Sequence, residues 1–110
     1  MFQKAQPNGY REVIDGIRMK TLVYGRNTLM AEYRMKTGSQ LPAHQHPHEQ
    51  TGYMIAGELE LTIGDQTQRV GPGDSWCIPG DTVHSAEVVA EAIAVEVFSP
   101  VREDFLPEAD

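Results

Sequence analysis

An all-β fold, a sandwich or small barrel of short antiparallel strands, is what this 110-residue sequence predicts. Three observations carry the prediction. Ten glycines and seven prolines punctuate the chain at short intervals. The segments between them alternate apolar and polar residues with the period of two that a half-buried strand needs. No long run shows a helical period with clean caps.

Strands are expected over residues 18–24, 29–35, 50–56, 58–63, 67–70, 75–78, 84–89 and 92–98. Alternation is clearest in Glu58-Leu59-Glu60-Leu61-Thr62-Ile63, whose leucines and isoleucine share one face. Gly64-Asp65 then supplies a hairpin turn, Gly71-Pro72-Gly73-Asp74 a second tight turn and Ile78-Pro79-Gly80-Asp81 a third. Residues 102–110 are acidic and are expected to end as a short turn or frayed tail. Nothing resembles a linker or repeat, so residues 1–110 read as one domain.

Composition narrows the function. Nine basic against sixteen acidic residues give a net charge of −7. A polyanion would meet repulsion and no basic run offsets it, so a nucleic-acid partner is not expected. No stretch approaches the roughly 20 apolar residues of a membrane span. Met1 to Tyr10 is polar, without an apolar h-region, so neither a membrane partner nor a secretory signal is expected. The lone cysteine, Cys77, cannot form an internal disulfide, which suits a reducing cytoplasm. No base or cation stands beside it in sequence, so its expected role is buried packing. It alternates with Trp76, and only one of the two can face the interior.

Three of the four histidines fall in His44-Gln45-His46-Pro47-His48, and the fourth is His84. In a strand, residues i and i+2 share a side, so His44 and His46 can approach one ion together. Imidazole is the commonest side-chain ligand for such metals. His84 follows the Pro79-Gly80-Asp81 turn and can open a neighbouring strand. A bare His-x-His pair is equally what polar loop residues beside Pro42 and Pro47 look like. The surrounding pattern separates the two readings.

Gly38 is followed by His44 and His46, then Gln50 and Gly57; Gly73 is followed by Pro79, Gly80, Asp81 and His84. This spacing resembles the two motifs of the cupin superfamily, G-x5-H-x-H-x3-4-E-x6-G and G-x5-P-x-G-x2-H-x3-N, over residues 38–57 and 73–88. Gln50 stands for the pattern's glutamate, Asp81 for its second glycine and Val88 for its asparagine. The resemblance implies a cupin jelly-roll barrel of two antiparallel sheets, with one divalent metal on His44, His46, Gln50 and His84. Two neighbours compete with Gln50. Glu49 is the stronger ligand but points to the opposite face of a strand. His48 continues the alternation from His46, with Pro47 expected to break the strand between them. Three imidazoles and a carboxamide leave the ion's full charge uncompensated, which favours an anionic oxygen at its vacant positions. Ligand type does not choose among zinc, nickel, iron, manganese and copper.

The last strand carries a second clue. Ile93, Val95 and Val97 share one face, and Ala92, Ala94, Glu96 and Phe98 the other. A cavity wall explains the second face, with alanines making room, Phe98 as an apolar platform and Glu96 as a candidate acid or base. The alternative is an exposed Glu96, with Phe98 packed at the barrel end. The closing run, with Glu96, Phe98, Pro100 and Arg102, together with Glu49-Gln50-Thr51-Gly52-Tyr53, resembles the small cupins of the pectin-degradation (KdgF) type. Those proteins linearise unsaturated uronic acids. The resemblance implies a lyase- or isomerase-like enzyme for a small anionic sugar acid. Glu96 would move the proton in ring opening and ketonisation, and Arg102 would clamp the substrate. The pattern's acid is aspartate, one methylene shorter than Glu96. For Arg102 the alternative is a surface pair with Glu103 or Asp104.

Tyr53, Met30, Met35 and Met54 either line the cavity or fill the core, the second being expected for most of them. Two other functions fit the same fold: a metal oxygenase for an aromatic or diketone substrate, and a non-catalytic small-ligand-binding module. A chain this short gains from burial against a second copy, so a homodimer is expected.

Overall fold

Eight strands and one 3-10 turn make up residues 1–107, the part of the chain that the computed structural model describes. They are β1 (Arg11–Ile14), β2 (Ile17–Tyr24), β3 (Leu29–Met35), β4 (Gln40–His44), β5 (Glu49–Ile63), β6 (Gln66–Val70), β7 (Ser75–Ile78), β8 (His84–Ser99) and the 3-10 helix Glu103–Phe105. All pairings are antiparallel. The turn expected near the C-terminus is this 3-10 helix; the rest of that expectation, at residues 108–110, lies outside the described residues. No helix among the described residues is long and apolar enough to cross a membrane.

The architecture follows from the two long strands. The segments 50–56 and 58–63, and likewise 84–89 and 92–98, join into single strands, β5 and β8. Each bends where the sequence suggested a break. The β5–β8 register shifts three times between Met54 and Leu59. At the bend, a Cβ on Gly57 would collide with the Glu91 carbonyl oxygen and Ala92 Cα, so only glycine lets the two strands cross so closely. Beyond the bend, the second half of β5 and first half of β8 pair with β6 and β4. Before it, the other halves pair with β7 and, through β3 and β2, with β1. One continuous ladder thus folds into the two facing sheets of a jelly roll, its corners made by strands that change sheet at bulges.

Two strands escaped the sequence reading. β1 is short and exposed, yet Asp15-Gly16 between the paired Ile14 and Ile17 is a two-residue hairpin signal. β4 contains Pro42, which an edge strand tolerates; β4 pairs with β8 alone.

The core fills the space between the sheets with Ile17, Met35, Met54, Leu59, Leu61, Val70, Val88, Ala92 and Ala94. A second cluster of Met19, Leu29, Ala31, Phe98 and Phe105 closes one region of it. On β8 the interior face is Ala92, Ala94, Glu96 and Phe98, while Ile93, Val95 and Val97 are only half-buried. Met54 is core, as expected. Tyr53 is not: β5 turns Gln50, Gly52 and Met54 inward, leaving Tyr53 half-exposed outside. Cys77 is exposed rather than packed, because Trp76 takes the inward position on β7.

Candidate functional site

Between the sheets lies a cavity of about 290 Å³, and His44, His84, Gln50, Glu96 and Arg102 all line it. His44 ends β4 and His84 opens β8, and the two are register partners, with ring centroids 4.2 Å apart. His46 does not share their strands. β4 stops at His44, and the chain turns through residues 45–48 before β5 begins. What brings His46 in is the turn before β8: the Asp81 N–H donates to the His46 carbonyl at 2.8 Å. Asp81 adopts φ 60°, the left-handed conformation that the motif's glycine supplies and that aspartate tolerates. The His46 centroid is then 4.9 Å from that of His84 and 5.8 Å from that of His44. One ring nitrogen from each of the three histidines falls within 4.8 Å of the others.

Each imidazole is oriented by a carbonyl two residues away. Nδ1 of His44 meets Pro42 O at 2.8 Å, His46 meets His48 O at 3.1 Å and His84 meets Thr82 O at 2.9 Å. A carbonyl only accepts, so Nδ1 of His44 and of His84 carries the proton and their Nε2 keeps a lone pair for an ion; His46 faces an oxygen at each nitrogen, and an ion at Nε2 would select its Nδ1–H tautomer. Burial holds His84 and His46 below the ordinary imidazole pKa, with Arg102 adding to the effect, so both rings stay neutral.

Two features fit a resident cation. His84 Nε2 is buried with no hydrogen-bond partner among the described residues, a costly state for an acceptor unless an ion meets it. His46 Nε2 lies 3.0 Å from Gln50 Oε1, which sets two atoms able to ligate an ion side by side. Three imidazole nitrogens and one amide oxygen form a donor set suited to a divalent transition metal. Gln50, buried on β5, is the group next to the three rings. Glu49 is exposed on the other face. His48 is not among the three histidines whose ring nitrogens converge, and its carbonyl serves as the acceptor beside the His46 ring.

Glu96 is buried and faces the cavity, so the solvent-exposed alternative is excluded. Gln50 Nε2 donates to Glu96 Oε2 at 2.7 Å, and Trp76 Nε1 donates to Oε1 at 3.2 Å. In this arrangement the amide nitrogen faces the carboxyl and its oxygen faces His46. Burial pushes the Glu96 carboxyl up to about 8, against the two hydrogen bonds, which lower it. A group poised there can both release and take a proton near neutrality.

Arg102 lines the cavity and is also paired. Its Nε and an Nη reach the Asp104 carboxylate at 3.2 and 2.7 Å, and its guanidinium stacks 4.0 Å from the Phe105 ring centroid. The pairing expected with Asp104 is present, and the same arginine borders the cavity. Phe98 does not form the cavity surface. It is fully buried, packed edge-on against His46 at 5.9 Å and Phe105 at 5.3 Å, and those rings cover it. It supports the site from beneath.

Two cavity residues were missed or left undecided in the sequence. Tyr33 lines the cavity because Leu29, Ala31, Tyr33 and Met35 alternate inward on β3, a signal the period of two already held. Burial and the nearby Glu96 raise its pKa, keeping it a neutral phenol. Trp76 is the inward member of its pair with Cys77.

The comparisons with known proteins point the same way. A family model for the cupin domain matches residues 31–99. The chain is 27% identical over 99 residues to the pectin degradation protein KdgF of Dickeya dadantii, covering 88% of this chain and 90% of that one. It is 29% identical over 86 residues to H2HPP isomerase of Bacillus subtilis, covering 76% of this chain but only 36% of the relative. The structure of KdgF from Halomonas sp. superposes with a TM-score of 0.91 at 27% identity, covering 96% of this chain and 98% of that one.

Proposed function

The chain belongs to the cupin domain family, and from that premise we propose that it is a metal-dependent enzyme that linearises a small unsaturated uronate. The observation that carries this reading is a buried carboxyl, Glu96, poised near pH 8 and joined through Gln50 to the three-histidine cluster. Its similarity to proteins named for pectin degradation supports the substrate class.

When bound on His44, His46, His84 and Gln50, a divalent ion supplies an electrophilic +2 centre for an anionic or hydroxyl oxygen. The chain's own residues do the rest. Arg102 has five N–H donors, of which Asp104 takes two, leaving others for a substrate carboxylate at the cavity wall. Ring opening takes the proton from the anomeric hydroxyl, breaks the ring C–O bond and leaves an aldehyde and an enolate, the ring oxygen keeping the bonding pair. Ketonisation then adds one proton to the vinylic carbon as the enolate oxygen becomes the ketone carbonyl. Glu96 accepts the first proton and returns one to carbon, so the single carboxyl ends as it began.

The test is absorbance. Protein loaded with zinc, nickel, manganese, iron or copper is mixed with unsaturated galacturonate, and loss of the enol-ether band is followed. We expect a rate above the spontaneous background that Glu96→Gln removes. No such rate with any of the metals would exclude this substrate. Oxygen uptake by the iron-loaded protein would instead favour an oxygenase.

In this reading the protein works in the cytoplasm as a homodimer. The exposed thiol of Cys77 supports a reducing compartment. Half-exposed Tyr53 and Ile55 on the outer face of β5 support a self-association surface. Sedimentation at micromolar concentration should give twice the chain mass, and a monomer mass would overturn the dimer.

A further inference from the structure

Trp76, Gly52 and Glu96 form one row across three neighbouring strands. Gly52 on β5 is the register partner of Trp76 on β7 and of Glu96 on β8. Neighbouring strands lie about 4.8 Å apart, so the backbones of Trp76 and Glu96 stand roughly 10 Å from each other with residue 52 between them. On the inward face a side chain at 52 would fill that gap. There is none, and the indole occupies its place: a Cβ built on Gly52 would overlap Cε2, Nε1 and Cζ2 of Trp76. The pyrrole edge of the ring therefore passes over bare backbone and its N–H reaches Glu96 Oε1 at 3.2 Å. Gln50 Nε2 holds the other oxygen at 2.7 Å. With a donor on each oxygen, the carboxyl cannot rotate without breaking both bonds.

We propose that Trp76 is a positioning residue for Glu96, acting across the space that the missing side chain of Gly52 leaves open. This rests on the reading of Glu96 as the proton-transferring group. Misplacement by about 1 Å can cost a hundredfold in rate, so fixing the carboxyl plane matters even though the indole moves no proton. The device also steadies Gln50, since a Glu96 held by Trp76 keeps accepting from the amide nitrogen and leaves the amide oxygen facing the histidines.

Trp76 is the single tryptophan, so the whole chain, labelled with ¹⁵N and free of metal, gives one indole N–H resonance. Glu96→Ala removes its acceptor. We expect the proton to move upfield and its exchange with solvent to quicken by about tenfold or more; an unmoved resonance with unchanged exchange overturns the proposal. Trp76→Phe keeps a ring and loses the N–H. Its kcat on unsaturated galacturonate should fall by about tenfold or more, with KM within about threefold. A kcat within about twofold of the parent would reduce the contact to packing and overturn positioning. Gly52→Ala should displace the indole and reproduce the Trp76→Phe loss, with the double variant no worse; additive losses count against the proposal. If Gly52→Ala does not fold, the other two arms decide. If the unaltered protein turns over no uronate, the functional reading falls while the indole resonance still decides the contact.

Discussion

The histidine end of the site and the Glu96 end are built on different length scales. Each imidazole is steered by a backbone carbonyl two residues away, so its tautomer and direction are set within one turn of chain. Glu96 takes its partners from residues 46 and 20 positions distant, on two other strands. At the first end the ring directions depend on local conformation, although the rings meet through the β4–β8 register and the Asp81–His46 backbone bond; at the second end the partners themselves come from the register of β5, β7 and β8. The difference teaches that, in the proposed mechanism, the metal-holding and acid–base roles can be separated. Gln50 is the one side chain that belongs to both, its oxygen turned to His46 and its nitrogen to Glu96.

The largest expected effect breaks the histidine end. His84→Ala removes a fully buried nitrogen that has no other partner among the described residues. Metal affinity should fall by more than about 100-fold, beyond the range that outer-shell partners give. Elemental analysis should drop from about one ion per chain to almost none, and turnover should go with it. Retained stoichiometric metal would show that the three rings do not act together. Breaking the other end has a narrower signature. Glu96→Gln should cut kcat by about 10²- to 10⁴-fold, the usual worth of a general acid or base. Because the variant still offers an amide oxygen to Gln50, metal affinity should change by about tenfold or less. Equal losses of metal and rate would mean that the two ends are one unit.

The same contrast decides what could be read in the sequence. His44, His46 and His84 were legible because their grouping follows motif spacing, although the strand geometry invoked for His46 was wrong; a backbone bond from Asp81 does that work. The breaks near Gly57 and Ala90 were real positions, yet they mark corners of continuous strands, since a bulge looks like a terminus in a periodic pattern. Alternation on β8 separated Glu96 from its neighbours, but branched residues on the opposite face made that face look like core. Ala92 and Ala94 instead pack inward, in the core between the sheets. The bond from Trp76 to Glu96 was out of reach, because it depends on which strands become neighbours and on an absent side chain between them.

A third prediction uses the opposite titration of the two ends in metal-stripped protein. His46 and His84 are held below the ordinary imidazole value of 6.5. The unfolded chain binds protons that the folded rings refuse, so stability falls as the pH drops below that value. Glu96 is held above its ordinary 4.5, up to about 8, so the folded state keeps a proton that the unfolded chain releases. Stability from this group therefore declines as pH rises through that window, by at most about 1.4 kcal/mol per unit. Below 6.5 the rings and the carboxyl act in opposite senses, and above it the carboxyl acts alone. Urea unfolding across pH should show stability declining from about pH 6.5 to about pH 8. Glu96→Gln should flatten the decline between about pH 6.5 and 8 and steepen the loss of stability on the acid side, where the rings then act unopposed. An unchanged alkaline limb would mean that Glu96 titrates as it does in the unfolded chain.

The smallest expected effect concerns the rim, where neither length scale rules. Arg102 is bound to its near neighbour Asp104, whose side chain is 58% exposed. In the proposed mechanism an anionic substrate shares that guanidinium with the Asp104 carboxylate, whose negative charge opposes its own. Exposed pairs are worth about 0.2–1 kcal/mol, so removing the competing charge is worth a factor of about 1.5 to 5. Asp104→Asn keeps the backbone carbonyl that Arg11 uses, and it leaves the stacking of Arg102 on Phe105 in place. KM for an unsaturated uronate should fall by that factor with kcat unchanged, and the gain should shrink as salt is raised. A rise in KM would instead identify Asp104 as the group that aims Arg102. The rim would then follow the same rule as the histidines, with a near neighbour setting the direction of a binding group.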